Sequence, residues 1–289
     1  MNAVIRPMES RYTLNSVIAH SPEMQGVVKD ARSFSMKSDS LFIHGERGTG
    51  KRYIARAIHN ESPRGDQPFV VVRCDTLSVD IFEKVLFGDI LTKHTGKFDE
   101  AGEGSILFMH LDELNPVAQE RLVRTLEEGR YENGFHETRL VNSRLMATGD
   151  REAMEKRAHQ GYFSSELLHK FTSLELRMPT LAERLDDIPH LVVMFLEDLA
   201  KRESIEAPTV PYHYMELLMN VQWAENVRQL RNHLESVMVL SHGEFTPEIL
   251  LEHFERTGEQ ATIKGALQGL WNKLRGTETA PTLASVTSK

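Results

Sequence analysis

A short glycine-rich loop that ends in Gly-Lys is the first feature of this sequence that could carry out chemistry. The loop, GERGTGKR at 45–52, follows an apolar run and fits the pattern G-x-x-x-x-G-K. The backbone N–H groups of such a loop bind phosphate oxygens, and its lysine neutralises the β- and γ-phosphates. The general pattern continues with Ser or Thr for Mg²⁺, whereas this chain has Arg52. The loop predicts a phosphate-binding site, and a plain glycine-rich turn is the alternative.

The hydrophobic pattern around the loop predicts a parallel α/β sheet. Four short apolar runs are typical of strands that are covered on both faces. They lie at 40–45, 68–74, 104–109 and 143–148. Helical patterns lie between them at 51–60, 79–87 and 116–128. Because strands and helices alternate, we predict a P-loop sheet sandwiched by helices.

A region with helical patterns alone follows from Thr180. The predicted helices lie at 187–202, 211–221, 226–241 and 247–257. A short amphipathic segment and a polar tail follow them. We therefore predict four parts, which are an N-terminal extension at 1–16, an α/β nucleotide-binding subdomain at 17–179, an all-helical subdomain at 180–257, and the segment with its tail at 258–289.

The composition limits the classes of function. Lys and Arg number 34 against 42 Asp and Glu, and the net charge of −8 disfavours broad capture of nucleic acid or anionic membrane. Cys74 is the single cysteine, which excludes an intrachain disulfide and fits a reducing compartment. The 13 histidines follow no ligand spacing, so no metal site is predicted. No signal peptide or membrane-spanning pattern is visible, and we predict a cytoplasmic protein.

Several sequence blocks, in order along the chain, resemble one protein family. They are VIAHSPEMQ, LFIHGERGTGKR, PFVVVRC, GKFDEAGEGSILF, QERLVRTLEEGRYE, TLAERLDDI and WAENVRQL. Together they are similar to the central AAA+ ATPase domain of bacterial enhancer-binding proteins, the activators of sigma-54 RNA polymerase. The resemblance extends from about Val17 to Ser241. It implies an α/β subdomain with a helical lid, and ring oligomers that hydrolyse ATP to remodel the polymerase.

The resemblance also implies which residues bind the nucleotide. Arg228 in WAENVRQL would be the sensor arginine of the lid. The residues expected to bind ATP or ADP in the loop are Gly45, Glu46, Arg47, Gly48, Thr49, Gly50, Lys51 and Arg52. Mg²⁺ stays open as a companion of the nucleotide.

The residues that would carry out hydrolysis differ from the family pattern. Hydrolysis needs carboxylates that organise Mg²⁺ and the attacking water, and the family has Asp-Glu at the end of a strand. The spacing from both flanking blocks leads to Met109 and His110 at these positions. A thioether cannot replace a carboxylate near a hard cation. The alternative register uses Asp112 and Glu113 as the acidic pair of an active ATPase.

Other positions of the same reaction also depart from the family. Arg73 stands where the family has an Asn that pairs with the catalytic Glu. Ser164 and Lys170 stand where arginines would contact the neighbouring subunit's site. The sensor Asn after the fourth strand falls at Gly149 or Asp150. Because several parts of one reaction differ together, we expect no catalytic residues and predict that ATPase activity is absent or very slow.

The parts that contact partners in the family differ as well. The family's GAFTGA loop, which contacts the sigma factor, is absent, and only nine residues separate Gly88 from Phe98. No helix-turn-helix pattern follows the lid, so we do not predict direct DNA binding. An Arg that binds a cyclic dinucleotide in one family branch would fall at Asn15.

These expectations describe a degenerate AAA+ protein that binds ATP or ADP without hydrolysis and regulates transcription through protein contacts. The expected partner is a second copy or a related AAA+ activator in an oligomer, with RNA polymerase components as further candidates and no membrane. Three alternatives stay open. They are an active ATPase, a sigma-54-independent regulator associated with DNA, and a decayed activator without function beyond folding.

Overall fold

Two compact units make up the chain in the computed structural model, which describes residues 12–240 and 244–246. The units are Met1–Arg184 and Leu185–Lys289. The division falls at Arg184, whereas the sequence pattern placed the end of the α/β part at 179. The predicted helix at 247–257, the amphipathic segment and the tail lie outside the described residues, as does most of the N-terminal extension.

The strands of the first unit form one large sheet and two small hairpins. The nine described strands are β1 (Leu41–His44), β2 (Phe69–Arg73), β3 (Gly88–Asp89), β4 (His94–Thr95), β5 (Ser105–Met109), β6 (Arg130–Glu132), β7 (Thr138–Leu140), β8 (Arg144–Gly149) and β9 (Leu174–Arg177). The large sheet has the order β2-β5-β8-β1-β9, and all its strands are parallel. The hairpins pair β3 with β4 and β6 with β7.

Seven described helices belong to the first unit. They are α1 (Pro22–Ser35), α2 (Lys51–Asn60), α3 (Val79–Phe87), α4 (Lys97–Ala101), α5 (Pro116–Glu128), α6 (Arg151–His159) and α7 (Ser165–Phe171). The predicted helices at 51–60, 79–87 and 116–128 are confirmed residue for residue. Asn115 caps α5 by accepting a hydrogen bond from the N–H of Ala118, and Pro116 suits the first helical position because that position needs no N–H donor.

The sheet is buried on both faces, as the apolar runs of its strands require. Successive side chains of a strand point to opposite faces. Phe42 and Phe108 therefore join one core, and Leu41 and Leu107 join the other. Helices cover each face, and the predicted parallel α/β fold is confirmed.

The fifth strand of the sheet, β9, is not among the strands predicted from the sequence. β9 lies at the edge of the sheet and pairs only with β1 among the described strands. Its residues LELR alternate between buried or half-buried leucines and exposed charges. An edge strand of this kind gives no continuous apolar run, which is the signal that identifies the other four.

Three described helices form the second unit, namely α8 (Ile188–Glu203), α9 (Tyr212–Asn220) and α10 (Asn226–Leu240). The buried Tyr214 hydroxyl lies 2.7 Å from Nε2 of His233, which joins α9 to α10. Trp223 adds a hydrogen bond from Nε1 to the carbonyl of Leu218. The helical region predicted after Thr180 is confirmed as far as the structure describes it. No helix within the described ranges is long and apolar enough to cross a membrane.

Candidate nucleotide-binding site

The glycine-rich loop connects β1 to α2 and has the backbone angles that only glycine adopts readily. The φ angles of Gly45, Gly48 and Gly50 are 134°, 76° and 103°. A Cβ atom at Gly45 would lie 2.5 Å from the carbonyl oxygen of Met178. Both observations explain the glycines, because a side chain here would strain the backbone or collide with the neighbouring segment.

Hydrogen bonds from several directions fix the loop against the start of α2. Lys51 Nζ donates to the carbonyls of Gly45 at 2.5 Å and Glu46 at 2.6 Å. The buried Thr49 hydroxyl donates to Glu46 O at 2.9 Å, and the Arg184 guanidinium donates to Thr49 O at 2.8 Å. The loop thus surrounds the N-terminus of a helix, where free N–H groups and the helix dipole favour an anion.

Arg184 is a functional candidate that the sequence analysis missed. Its side chain is only 4 % exposed, although it lies at the end of the first unit. Arg184 belongs to the block TLAERLDDI, and membership of this block was the signal that the sequence offered. Its burial is visible in the structure alone. Its contact with Thr49 makes it a support of the loop.

Met109 is the last residue of β5 and pairs in register with Arg73 of β2. The chain then turns at His110, which has a left-handed backbone with φ 56°, and its N–H donates to Thr148 Oγ1 at 3.4 Å. Asp112 and Glu113 follow in a short 3₁₀ turn at Leu111–Glu113. The carboxylates of the alternative register therefore lie beyond the strand, whereas Met109 and His110 occupy its end.

Two carboxylates near these strand ends accept hydrogen bonds from arginines of this chain. Arg73 donates to Asp75 from Nη2 at 2.6 Å and from Nε at 3.3 Å. This hydrogen-bonded arginine lowers the pKa of Asp75. Arg47 of the loop donates to Glu113 Oε1 at 2.7 Å. Asp75 and Glu113 are thus oriented by arginine side chains.

Asp112 occupies the space above Gly149, the last residue of β8. Its Oδ1 accepts a hydrogen bond from the N–H of Asp150 at 3.3 Å, and a Cβ at Gly149 would lie 2.7 Å from the same oxygen. Burial raises the pKa of Asp112. The main-chain carbonyl of Asp112 also accepts a hydrogen bond from Arg157. A side chain at 149 would therefore force the carboxylate of Asp112 to shift.

The residues at the positions of the family's intersubunit arginines have local structural contacts. Ser164 caps α7, because its Oγ accepts a hydrogen bond from Leu167 N at 3.1 Å, and its own N–H donates to Gln119 Oε1 at 2.7 Å. Lys170 lies in the last turn of α7, and its carbonyl accepts a hydrogen bond from the Ser40 hydroxyl. Arg228 belongs to the second unit, where its exposed side chain lies in the first turn of α10.

No cluster of three or more His, Cys, Asp or Glu side chains is arranged to hold a metal ion within the described residues. The single cysteine, Cys74, is buried, and burial raises the pKa of its thiol, so it packs rather than reacts.

Comparison with known proteins supplies the family. A profile described as "Sigma-54 interaction domain" matches residues 17–177, which is more than half of the chain, and one described as "AAA+ ATPase lid domain" matches residues 182–266. The chain belongs to the AAA+ sigma-54 interaction domain family. Its curated relatives include regulatory proteins, and the family is one of transcriptional regulators.

Curated relatives of this AAA+ domain are longer than the chain. The Nif-specific regulatory protein of Azotobacter vinelandii is 33% identical over 245 residues, which cover 82% of this chain and 47% of the relative. The DNA-binding transcriptional regulator NtrC of Proteus hauseri is 31% identical over 258 residues, which cover 86% and 54%. The chain thus spans about half the length of these relatives.

Solved structures share the AAA+ fold. NtrX from Brucella abortus in complex with ATP superposes with a TM-score of 0.75 at 27% identity, over 81% of this chain and 53% of that chain. A RuvB mutant from Thermotoga maritima superposes with a TM-score of 0.54 at 14% identity, over 84% and 72%, and shows the fold alone.

Proposed function

We propose that this AAA+ chain binds ATP or ADP at the loop of residues 45–52, does not hydrolyse it, and regulates transcription through protein contacts. The observation that carries the proposal is the contrast between two neighbouring strand ends. After β1 the loop keeps its glycine conformations and Lys51. At the end of β5 Met109 replaces a carboxylate. The complexes of the similar NtrX with ATP and with ADP support nucleotide binding.

The absence of hydrolysis follows from the donors available beside the loop. The carboxylate that organises Mg²⁺ would stand at Met109, whose side chain has no oxygen, and the carboxylate that polarises the attacking water would stand at His110, which has an imidazole instead. His110 follows with a left-handed backbone, which turns the chain away from the strand direction. Arg73 adds a cation across the strand pair, where it is bound to Asp75.

The partner of the proposed regulator is a second copy of the chain or a related AAA+ activator in an oligomer. Ser164 and Lys170 cannot supply the planar guanidinium that stabilises a transition state in a neighbouring site. A chain that lacks this group still contributes a surface to an oligomer. Because GAFTGA is absent, we propose that any contact with RNA polymerase components differs from conventional sigma-54 activation.

Phosphate release from ATP tests the proposal directly. We expect no phosphate release from the purified protein alone. In a mixture with an intact AAA+ activator, Lys51→Ala in this protein is expected to leave phosphate release unchanged. Lys51→Ala removes the loop cation, and Lys29→Ala in α1 serves as a matched surface control. Phosphate release by the chain alone that disappears in Lys51→Ala but persists in Lys29→Ala would contradict the proposal.

An active ATPase that uses Asp112 and Glu113 is the second candidate. The contact of Glu113 with Arg47 favours it, because this contact brings a carboxylate to the phosphate loop. The same assay separates the candidates. An active enzyme of this kind loses phosphate release in Glu113→Gln, whereas the proposed protein shows no release before or after the change.

A further inference from the structure

The environment of the phosphate loop fits Mg²⁺ poorly and an unchelated polyphosphate well. P-loop nucleotide sites hold Mg²⁺ through a hydroxyl of the loop and an acidic residue at a strand end. Arg52 stands at the start of α2, where the general loop pattern has a hydroxyl and the resemblance implies Glu, and Met109 stands at the end of β5, where the resemblance implies an acid. Mg²⁺ requires oxygen ligands in near-octahedral geometry, and neither a guanidinium nor a thioether supplies one.

Three carboxylates near these strand ends, Asp75, Asp112 and Glu113, accept hydrogen bonds from protein groups. Glu113 accepts a hydrogen bond from Arg47, and Asp75 accepts two from Arg73. Asp112 accepts one from the N–H of Asp150. A metal ion would have to displace these donors, one of which is a cation that belongs to the loop itself.

Three cationic side chains lie in or beside this loop. Lys51 lies at the start of α2, and the exposed Arg52 follows it. Arg47 lies inside the loop with its side chain 68% exposed. A guanidinium carries five N–H donors, so Arg47 can bind a phosphate oxygen while it stays bound to Glu113. Arginine binds phosphate through a planar fork of N–H donors, which gives short charge-assisted hydrogen bonds.

We infer that the loop binds a nucleotide di- or triphosphate without Mg²⁺, with Arg47 and Arg52 neutralising the charge that the metal would otherwise neutralise. This inference rests on the proposed nucleotide binding. It also adds a reason for the absence of hydrolysis, since no metal ion stabilises the charge that develops on the transferred phosphate.

Calorimetric titration of ATP into the full chain, in excess EDTA and in excess Mg²⁺, tests the inference without any mutation. The affinity in EDTA is expected to equal or exceed that in Mg²⁺, because chelation reduces the negative charge that the arginines bind. An affinity about tenfold higher in Mg²⁺ would overturn the inference and leave nucleotide binding intact. Absence of binding in both buffers would overturn the proposed nucleotide binding itself.

A double variant tests whether Arg47 and Arg52 neutralise the negative charge of the phosphates. Arg47→Ala with Arg52→Ala is expected to lower the affinity for ATP in EDTA by about tenfold or more, because two charge-assisted contacts are lost. Arg124→Ala is the matched control, since Arg124 is an exposed arginine of α5 that is bound to Glu128. Thermal melting verifies that both proteins fold. An unchanged affinity in the double variant would overturn the role of the two arginines.

Discussion

Gly149 and Asp112 illustrate how two single residues of this site depend on each other. The carboxylate of Asp112 lies where a side chain at position 149 would begin. A side chain at position 149 and the carboxylate of Asp112 are therefore expected to exclude each other.

Gly149→Asn is expected to destabilise the protein by about 1–3 kcal/mol, because overpacking of a closed region forces neighbours to shift. Asp112→Ala in the same chain should recover most of the loss, since it removes the oxygen that the new Cβ would meet. The free energy of unfolding in urea measures both effects. Gly129→Asn is the control, because Gly129 has open space around its Cβ position and Asn tolerates its left-handed backbone. Additive losses in the double variant would contradict the proposed exclusion.

His44, the last residue of β1, is expected to make the folding stability depend on pH. Burial lowers the pKa of His44, the carboxylate of Glu175 opposes this shift, and three cations reinforce it. The cations are Arg151, Arg177 and Lys51. Below the unfolded pKa of about 6.5 the unfolded chain binds a proton that the folded chain binds less well, so stability falls as the pH decreases.

His44→Gln should therefore lose less stability than the unmodified protein between about pH 7.5 and about pH 5.5. Thermal unfolding at the two pH values measures the difference. His94→Gln controls for the loss of a histidine, because His94 lies exposed in β4. Parallel losses in His44→Gln and in the unmodified protein would show that His44 does not contribute.

At the scale of elements, the two small hairpins of the first unit contact each other through glycine backbones. The N–H of Gly134, between β6 and β7, donates to the carbonyl of Phe87 at 2.7 Å. A Cβ at Gly134 would lie 2.4 Å from the carbonyl carbon of Gly88, at the start of β3. The short β3–β4 hairpin is thus held in position by the neighbouring β6–β7 hairpin.

Gly134→Ala is expected to destabilise the first unit by about 1–3 kcal/mol, because backbone atoms cannot move aside as a flexible side chain can. The matched change Gly26→Ala lies in the exposed face of α1 with open space around it, and should stabilise by about 0.5–1 kcal/mol. Chemical unfolding of the two variants gives the comparison. Equal stability of Gly134→Ala and the unmodified protein would show that the hairpins separate readily.

At the scale of the whole molecule, the proposed nucleotide binding would be linked to stability. A ligand that binds only the folded state stabilises it by about 2.7 kcal/mol at a hundredfold excess over Kd. ATP at this excess should therefore raise the melting temperature of the chain, and Lys51→Ala should abolish the increase. Lys29→Ala should retain it. An equal increase in Lys51→Ala would place the stabilising ligand outside the loop.

The sequence by itself predicted the phosphate loop, four of the five strands of the large sheet, three helices of the first unit and the helical character of the second unit. It gave no prediction for α1, α4, α6, α7 or the two small hairpins. Glycine spacing sets the backbone angles of the loop, and apolar periodicity sets the strands and helices, so both are local properties. The bounds of α2, α3 and α5 were predicted residue for residue for this reason. The edge strand β9 was missed because its two faces have different environments, which only the sheet defines.

The tertiary structure alone decided which charges meet at the strand ends. Arg47 and Glu113 are far apart in sequence, as are Asp112 and Gly149, and their contacts arise because parallel strands end at the same edge of the sheet. The sequence could show that Met109 stands where a carboxylate is expected. Only the fold could show that Asp112 and Glu113 accept hydrogen bonds from protein donors. These contacts depend on residues that are neighbours in space and distant in sequence.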